Sequence, residues 1–346
     1  MRKSTRYCVY IGRFQPFTPA HLETVNIALR HCEKLVLLIG SPNKSISIIN
    51  PFSVFERKQI IGAALLEAGV TDRVIISTVP DSAYNFTAWT AKVQEIAASL
   101  TDNSENIRII GHYKDDSSYY LKHFPMWELI KVPELENGLS ATMIRTMIFE
   151  DRKDWKDIYR GNSGTLDAIL RIINEQNERF ADLKEEYRFL RDYKKKWEAA
   201  PFPPVFVTTD AVVFCMGYVL LVRRKLNPGK GKLALPGGFL GQEEYLFDSC
   251  IRELREETKI DVPYQVLKSS LSKQNVFDHP RRSLRGRTIT HAYLFELNNQ
   301  KGLPAVKPAD DAKEAMWVPL SKIEGLSEEF FSDHLMIIKY FLGRSI

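Results

Sequence analysis

The fold of the second half of the chain is decided by the stretch Gly238-x5-Glu244-x7-Arg252-Glu253-Leu254-x-Glu256-Glu257-x-Lys259-Ile260. On a helix over residues 245–259, Glu253, Glu256 and Glu257 share one face, because side chains three and four residues apart are neighbours. Clustered carboxylates repel each other unless a cation lies between them. Oxygen ligands without imidazole or thiolate favour Mg²⁺ or Mn²⁺. We therefore predict a divalent-metal site for chemistry on a diphosphate.

The segments around this helix resemble the Nudix box. Leu235-Pro236-Gly237-Gly238 provides a strand end and a tight loop into the helix. A solvated Glu-rich helix face is the plain alternative, but the loop, Glu244 and the Arg252-Glu253 pair all match the family. The resemblance implies that Glu253, Glu256 and Glu257 bind the metal, which activates a water, and that Arg252 orients these carboxylates.

One position departs from the Nudix pattern. Lys259 stands where the family usually has Gly, which ends the helix in a left-handed turn. A Lys adopts that conformation at a cost of about 1 kcal/mol. We expect the substitution to affect the helix end and not the metal site, since no ligand is missing.

Composition limits the class of protein. The chain has 346 residues, 44% of them hydrophobic and 26% charged, which is typical of a protein with two folded domains. Its net charge of +5 suits anionic nucleotides, but there is no dense Lys/Arg stripe, so we expect no nucleic-acid partner. The four widely spaced cysteines form no C-x2-C pair and are interpreted as reduced core residues. No apolar run or signal sequence indicates a membrane, so a cytoplasmic location is predicted.

Strand and helix patterns alternate along the first 150 residues, which predicts a Rossmann-like domain with a parallel sheet. The predicted strands are Tyr7–Ile11, Lys34–Ile39, Arg73–Val79, Ile107–Ile110 and Trp127–Val132. Apolar residues at helical spacing between the strands indicate crossover helices.

A charged helical region from Asp154 to Glu198 stops at Pro201-Phe202-Pro203-Pro204, where the prolines prevent its continuation. We therefore predict a nucleotidyltransferase domain over 1–185, a helical and proline-rich linker over 186–204, and a Nudix domain over 205–346. The last is expected to be an α+β domain whose mixed sheet contains Val205–Phe214, Tyr218–Arg223, Arg287–Leu297 and Met316–Val318.

Directly after the first predicted strand comes Gly12-Arg13-Phe14-Gln15-Pro16-Phe17-Thr18-Pro19-Ala20-His21. Open α/β sheets bind nucleotides at such a turn, and a helix N-terminus favours phosphate. The segment resembles the T/H-x-G-H signature of the nucleotidyltransferase superfamily, with Ala20 in place of Gly. Leu139-Ser140-Ala141-Thr142-Met143-Ile144-Arg145 is similar to its second signature, I-S-S-T-x-x-R.

The two signatures together imply a set of site residues. Thr18, His21 and Arg145 would be catalytic, with Arg145 neutralising charge on the leaving pyrophosphate. The same resemblance assigns ATP binding to Gly12, Arg13, Phe14, Ser140 and Thr142. Either signature alone is weak, because a Ser-Ala-Thr run also caps helices and a lone His is often structural.

Two further segments, Ile39-Gly40-Ser41 and Asn50-Pro51-Phe52-Ser53-x-x-Glu56-Arg57, are similar to archaeal-type nicotinamide-mononucleotide (NMN) adenylyltransferases. Asp81, Asn85 and Trp89 resemble that family's nicotinamide pocket, in which an aromatic ring stacks on the pyridinium. Simple core packing is the alternative for Trp89.

Both halves together resemble bifunctional enzymes of nicotinamide-nucleotide metabolism. The resemblance implies that ATP and NMN give NAD and pyrophosphate, and that ADP-ribose is hydrolysed to AMP and ribose 5-phosphate with Mg²⁺ or Mn²⁺. Arg281, Arg282 and Arg285 would bind ADP-ribose, although the loop over 281–287 can also be an ordinary solvated loop. A homo-oligomer is left open.

Two alternatives remain at this point. The Nudix domain can be a non-hydrolytic ADP-ribose sensor, although such sensors tend to lose the box carboxylates, which are intact here. The first domain can transfer a nucleotidyl group to another phosphate acceptor, such as nicotinic-acid mononucleotide or a pantetheine phosphate.

Overall fold

The computed structural model describes residues 7–112, 120–132, 140–297 and 302–343. Contacts divide the chain into two units, Met1–Lys184 and Glu185–Ile346. Helix α6 (Asn177–Lys195) begins in the first unit and ends in the second. The domain limits given above remain a prediction.

The first unit contains a five-stranded parallel sheet in the order β3-β2-β1-β4-β5. Its strands are β1 (Tyr7–Gly12), β2 (Lys34–Gly40), β3 (Val74–Val79), β4 (Ile107–Gly111) and β5 (Glu128–Lys131). Its helices are α1 (Pro19–His31), α2 (Val54–Glu67), α3 (Phe86–Leu100), α4 (Ala141–Phe149) and α5 (Ser163–Glu175). The predicted Rossmann-like layout is confirmed.

The strand order explains where a ligand can bind in this unit. Strand β1 lies in the middle of the sheet, between β2 and β4. The strand order therefore runs outward from β1 in two directions, to β2 and β3 on one side and to β4 and β5 on the other. The residues of β1 are apolar and almost wholly buried, as expected for a strand covered on both faces. In open α/β sheets the crevice at the carboxyl end of such a strand is the ligand site. The loop that follows Gly12 occupies this position.

The second unit contains a mixed sheet in the order β10-β11-β6-β7-β12, with β8 paired to β7 and β9 paired to β6. Only the β6–β11 pair is parallel among its described pairs. The strands are β6 (Val205–Cys215), β7 (Tyr218–Arg224), β8 (Leu233–Ala234), β9 (Gly237–Phe239), β10 (Leu271–Phe277), β11 (Arg287–Glu296) and β12 (Ala312–Pro319). The predicted α+β architecture is confirmed.

Three helices accompany this sheet: α7 (Leu246–Thr258), α8 (Tyr264–Ser269) and α9 (His334–Phe341). Helix α7 is the predicted glutamate-rich helix, flanked by Tyr245 and Lys259 as cap residues. Its apolar side, including Cys250 and Leu254, packs into a core with residues of β6 and β11. Outside this core, Glu257 and Glu253 lie against Gly237 and Gly238 at the start of β9. In the described part of the chain, no helix is long and apolar enough to cross a membrane.

Candidate functional sites

In the loop after β1, the Phe14 ring packs against Gly12 at the end of the strand. Phe14 is buried and has a positive φ of 51°. A Cβ at position 12 would lie 2.7 Å from the Phe14 ring, so only glycine fits there. Gly12 has no side chain and the Phe14 ring is buried, so in this turn the backbone and the exposed Arg13 face a nucleotide.

Thr18 and His21 form a capping box at the start of α1. The backbone N–H of Thr18 donates to Nδ1 of His21 at 2.9 Å, and the N–H of His21 donates to the Thr18 hydroxyl at 3.4 Å. Because Nδ1 accepts this bond, a neutral imidazole carries its proton on Nε2. The cap thus fixes both the ring orientation and the tautomer of His21. The rings of Phe14 and Phe17 pack against the imidazole, with centroids 5.1 and 5.4 Å away.

Arg145 is a buried cation at this loop. Its guanidinium donates to the Gln15 carbonyl at 2.6 Å and to the Thr142 hydroxyl at 3.0 Å. Burial, reinforced by the nearby charge of Arg13, lowers the pKa of Arg145 to about 10. Ser140 caps α4 by accepting from the N–H of Met143, which places Thr142 and Arg145 one turn apart. Two arginines close together in a partly dry crevice are suited to an anion such as a triphosphate.

Sequence reasoning gave no separate role to Arg57, although it quoted the segment that contains it. Its side chain is buried and donates to the carbonyl oxygens of Gly40 at 2.7 Å, Ser41 at 2.9 Å and Arg13 at 3.0 Å. A single guanidinium therefore joins the carboxyl ends of β1 and β2. The spacing of the motif alone does not reveal this, because the partners are backbone atoms from distant segments.

The three residues predicted to bind NMN lie at the carboxyl end of β3 and on α3. The carboxylate of Asp81 accepts a 2.7 Å hydrogen bond from the Ser41 hydroxyl. Asn85 caps α3 by accepting from the N–H of Ala88. The Trp89 ring stacks on Phe86 and packs edge-on against Tyr120, so it already belongs to an aromatic cluster at the edge of the core. The assignment of these residues to NMN stays a prediction.

In the second unit, the carboxylates of Glu253 and Glu257 lie against Gly237 and Gly238, the two residues at the start of β9 that are called the glycine loop below. The N–H of Gly237 donates to Glu257 at 3.0 Å. A Cβ at position 238 would lie only 2.4 Å from a Glu253 oxygen, which explains why this position is glycine. Burial raises the pKa of Glu257 to about 8, and the neighbouring Glu253 adds to the effect. Burial also raises the pKa of Glu253.

The guanidinium of Arg252 binds three carboxylates, those of Glu244, Glu253 and Glu256. It donates twice to Glu244, at 2.9 and 2.7 Å, and bridges Glu253 and Glu256 at 2.9 Å each. The guanidinium lowers the pKa of Glu244 to about 2. Glu244 also accepts from the N–H of Gly241, so this pair braces the loop that leads into α7.

The donor set fits a hard divalent cation. Glu253, Glu256 and Glu257 offer carboxylate oxygens. Glu257 is buried and Glu253 is partly buried, and the loss of water around them raises the pKa of both, an effect that a nearby cation would oppose. Within the described ranges, no three acidic, histidine or cysteine side chains already surround one point, and Glu253 and Glu256 are held by Arg252. Arg252 contacts one oxygen of each of these carboxylates, so the second oxygen of each would serve as a ligand for Mg²⁺ or Mn²⁺.

The three arginines predicted to bind ADP-ribose have different surroundings. Arg281 is exposed. Arg282 is buried and makes a two-pronged ion pair with Asp333, at 2.9 Å for each bond. Arg285 lies 4.7 Å above the Phe239 ring, and burial lowers its pKa to about 10. Arg282 is thus committed to a structural pair, whereas Arg285 is the best placed of the three to meet an anion.

Two polar residues near the glycine loop were not singled out from the sequence. His334, at the start of α9, accepts from the N–H of Leu235 at 3.0 Å. Asp210 accepts from the Thr290 hydroxyl at 2.6 Å and lies 3.9 Å from His334. They hold the strand end before Gly237, and no local sequence pattern signals them because they come from separate elements.

Comparison with known families matches a different family to each unit. The Cytidylyltransferase-like family matches residues 9–147, and the NUDIX domain family matches residues 205–341. A nicotinamide/nicotinic acid mononucleotide adenylyltransferase of Acinetobacter baylyi is 36% identical over 146 residues, which cover 42% of this chain and 77% of that protein. An ADP-ribose pyrophosphatase of Methanocaldococcus jannaschii is 34% identical over 148 residues, which cover 43% of this chain and 78% of that protein.

One solved structure resembles the chain along its length. It is a bifunctional NMN adenylyltransferase/ADP ribose pyrophosphatase from Francisella tularensis, complexed with AMP and a manganese ion. The two chains are 36% identical, with a TM-score of 0.92, and the match covers 98% of this chain and 99% of the other.

Proposed function

Because the chain belongs to the family of bifunctional NMN adenylyltransferase/ADP ribose pyrophosphatases, we propose that it carries both activities. The first unit transfers the adenylyl group of ATP to NMN, giving NAD and pyrophosphate. The second hydrolyses ADP-ribose to AMP and ribose 5-phosphate. Support comes from relatives named for each activity and from a solved bifunctional relative that matches the whole chain.

In the first unit, catalysis is a matter of position and charge. The NMN phosphate attacks the α-phosphorus of ATP in line, and pyrophosphate leaves without a covalent enzyme intermediate. The Nε2–H of His21 is fixed by the capping box to donate to a phosphate oxygen. Arg13 and Arg145 neutralise the negative charge that grows on the leaving group. Asp81, Asn85 and Trp89 are proposed to receive the nicotinamide end.

In the second unit, Glu253, Glu256 and Glu257 hold the divalent cation, which when bound activates a water and polarises the diphosphate. Arg252 positions Glu253 and Glu256, and its pair with Glu244 keeps the loop closed behind them. Gly237 and Gly238 let the backbone pass close to Glu257 and Glu253. Arg285 provides positive charge for the substrate diphosphate.

The observation that carries the hydrolase proposal is the placement of Glu253 and Glu257 side by side against Gly238 and Gly237, since a sensor has no need of neighbouring acids that repel each other. For the transferase, it is the capping box that fixes the His21 ring next to the loop that Arg145 binds through the Gln15 carbonyl.

One experiment tests both activities. The protein is incubated with ATP, NMN and Mg²⁺, and separately with ADP-ribose and Mg²⁺, and products are identified by chromatography. We expect NAD in the first reaction and AMP in the second. His21→Ala should abolish only NAD synthesis, and Glu257→Gln should abolish only AMP release, so each variant serves as the other's control.

The alternatives give different results. NAD synthesis without AMP release would make the second unit a sensor or an enzyme for another diphosphate. Equal use of nicotinic-acid mononucleotide would place this chain beside the Acinetobacter relative, whose name includes both acceptors. Failure with both mononucleotides would point to another phosphate acceptor. We also propose a cytoplasmic location, supported by four buried cysteines without disulfide partners.

A further inference from the structure

The segment that leads into α9, residues 330–334, lies beside the stretch of chain that enters the glycine loop. The N–H of Phe331 donates to the carbonyl of Leu233 at 2.8 Å, and the N–H of Leu235 donates to Nδ1 of His334 at 3.0 Å. A parallel β-bridge joins the same two stretches. The entry to the glycine loop is therefore held by directional hydrogen bonds, which weaken steeply with distance and angle.

The entry to the glycine loop is linked in turn to a proposed metal ligand. Leu235 is followed by Pro236, whose carbonyl accepts from the N–H of Ala211 at 2.8 Å. The next residue, Gly237, donates its N–H to the Glu257 carboxylate at 3.0 Å. Because the proline ring fixes its own φ, a displacement of Leu235 is passed on to the donor at Gly237. The bond to His334 thus controls the position of a partner of Glu257.

A buried ion pair anchors the same segment on its other side. Arg282 donates twice to Asp333, at 2.9 Å for each bond, and the Ser332 hydroxyl donates to the Arg282 carbonyl. Asp210 lies 3.8 Å from the Arg282 guanidinium and 3.9 Å from Nδ1 of His334. Only 6% of the Arg282 side chain and 5% of the Asp333 side chain are exposed. A two-pronged pair fixes both distance and orientation, so it fixes the start of α9 as well.

The acceptor role of His334 requires a neutral ring. An imidazole that accepts at Nδ1 carries its one proton on Nε2, whereas an imidazolium has no acceptor. Burial lowers the pKa of His334 and outweighs the nearby carboxylates of Asp210 and Asp333. Asparagine provides Oδ1 near the position of Nδ1, and leucine provides only methyl groups. Two substitutions therefore separate the hydrogen bond from packing.

We propose that His334, Asp333 and Arg282 are positioning residues for the hydrolysis, an inference that rests on the proposed function of the second unit. They fix the entry to the glycine loop, and through the N–H of Gly237 they set the position of the Glu257 carboxylate. They act without contacting ADP-ribose. Their loss therefore lowers kcat and the affinity for the metal, and leaves the Michaelis constant for ADP-ribose unchanged.

The first test replaces His334. His334→Leu removes the acceptor, so kcat for AMP release should fall about 10- to 100-fold, as for other groups that orient metal ligands. The Michaelis constant for ADP-ribose should stay within about twofold of wild type, because the substrate contacts are kept. His334→Asn should recover most of kcat. A role in packing alone gives the reverse order, since leucine suits a buried apolar space better than asparagine does.

The second test uses Arg282→Lys, which keeps the charge and removes the planar fork. We expect kcat to fall about tenfold with an unchanged Michaelis constant. A Michaelis constant raised about tenfold at wild-type kcat would overturn the positioning role of Arg282 and make it a substrate contact.

Phe341→Leu is the control for both tests. Phe341 is buried on the same helix and packs against Phe277 at 6.1 Å, so its loss lowers stability without changing a contact of the glycine loop. This variant should keep the wild-type kcat for AMP release, and all variants should keep NAD synthesis.

Mn²⁺ binding without substrate, measured by EPR spectroscopy, is a readout that does not depend on turnover. The dissociation constant should rise about tenfold in His334→Leu and return close to the wild-type value in His334→Asn. A wild-type protein that binds Mn²⁺ but releases no AMP contradicts the hydrolase, and the same order of affinities would still support the positioning role.

Two results would overturn the positioning role of His334. One is a His334→Leu protein with wild-type kcat and wild-type Mn²⁺ affinity, and the other is a His334→Leu protein that is more active than His334→Asn. If His334→Leu does not fold, Arg282→Lys decides by the same two measurements.

Discussion

The backbone N–H of Thr18 donates a 2.9 Å hydrogen bond to Nδ1 of His21, so the proposed catalytic imidazole is also part of a helix cap. The two roles use different ring nitrogens. Asparagine carries an acceptor near the position of Nδ1 but has nothing at the position of Nε2, so a substitution can separate capping from chemistry.

We predict that His21→Asn keeps the cap and loses NAD synthesis. Its kcat should fall by about 10²-fold or more, as for the loss of one transition-state donor, while the free energy of unfolding stays within about 0.5 kcal/mol of wild type. His21→Ala should lose activity and also about 1 kcal/mol of stability. NAD formation and urea unfolding are the measurements. Full activity in His21→Asn would show that Nε2 has no catalytic role.

The buried guanidinium of Arg57 gives a second prediction. Arg57→Met leaves the carbonyl oxygens of Gly40, Ser41 and Arg13 without their donor, and we expect the first unit to lose about 3 kcal/mol of stability. Arg57→Lys should recover only part of this loss, because an ammonium group cannot span three separate carbonyls. The measurement is urea unfolding followed by a probe in each unit.

Arg30→Met is the control for Arg57→Met. The Arg30 side chain is 65% exposed and pairs with Glu23 at the surface, so its loss should change stability by less than about 0.5 kcal/mol. An Arg57→Met protein as stable as this control would refute the bracing role.

The sequence predicted the parts of the fold that depend on local pattern. Apolar runs gave β1 and β2, and the glutamate spacing gave α7 with its cap residues Tyr245 and Lys259. Strand β10 was missed because four polar residues, Ser272-Lys273-Gln274-Asn275, separate its apolar ends, so that no apolar run or alternation marks a strand. Of β12, only Met316–Val318 was predicted, because the strand begins with Ala312-Lys313-Glu314, which contains two charged residues.

The site residues differ in the same way, according to whether a local sequence pattern marks them. Motif positions such as His21, Arg145 and Glu257 were identified because their spacing is fixed along one helix or loop. Arg57 and His334 were not assigned a role, since their partners are backbone groups brought together only by folding. Arg282 was predicted from its sequence context to contact a ligand. In the structure its guanidinium pairs with Asp333, a partner that the sequence alone does not reveal.

The left-handed conformation expected at Lys259 is present, with φ 44° and ψ 38°. We predict that Lys259→Gly stabilises the second unit by about 1 kcal/mol, because glycine adopts this conformation without Cβ strain. Lys259→Ala removes the same charge but keeps the Cβ, so it should give no such gain. Thermal unfolding of the three proteins decides the point, and equal stabilities of the Gly and Ala variants would contradict the strain.

The last prediction concerns Arg252, whose two bonds to Glu244 and bridge to Glu253 and Glu256 require a planar guanidinium. Lysine has no such fork, so Arg252→Lys should leave the carboxylates poorly oriented. We expect kcat for AMP release to fall by about 10- to 100-fold, as for other partners that orient metal ligands, with a matching rise in the Mn²⁺ concentration needed for half-maximal rate. Arg255→Lys is the control, because Arg255 is exposed on the same helix. NAD synthesis by the same preparations should be unchanged. If Arg252→Lys hydrolysed ADP-ribose as fast as Arg255→Lys, orientation by the guanidinium would play no part in the reaction.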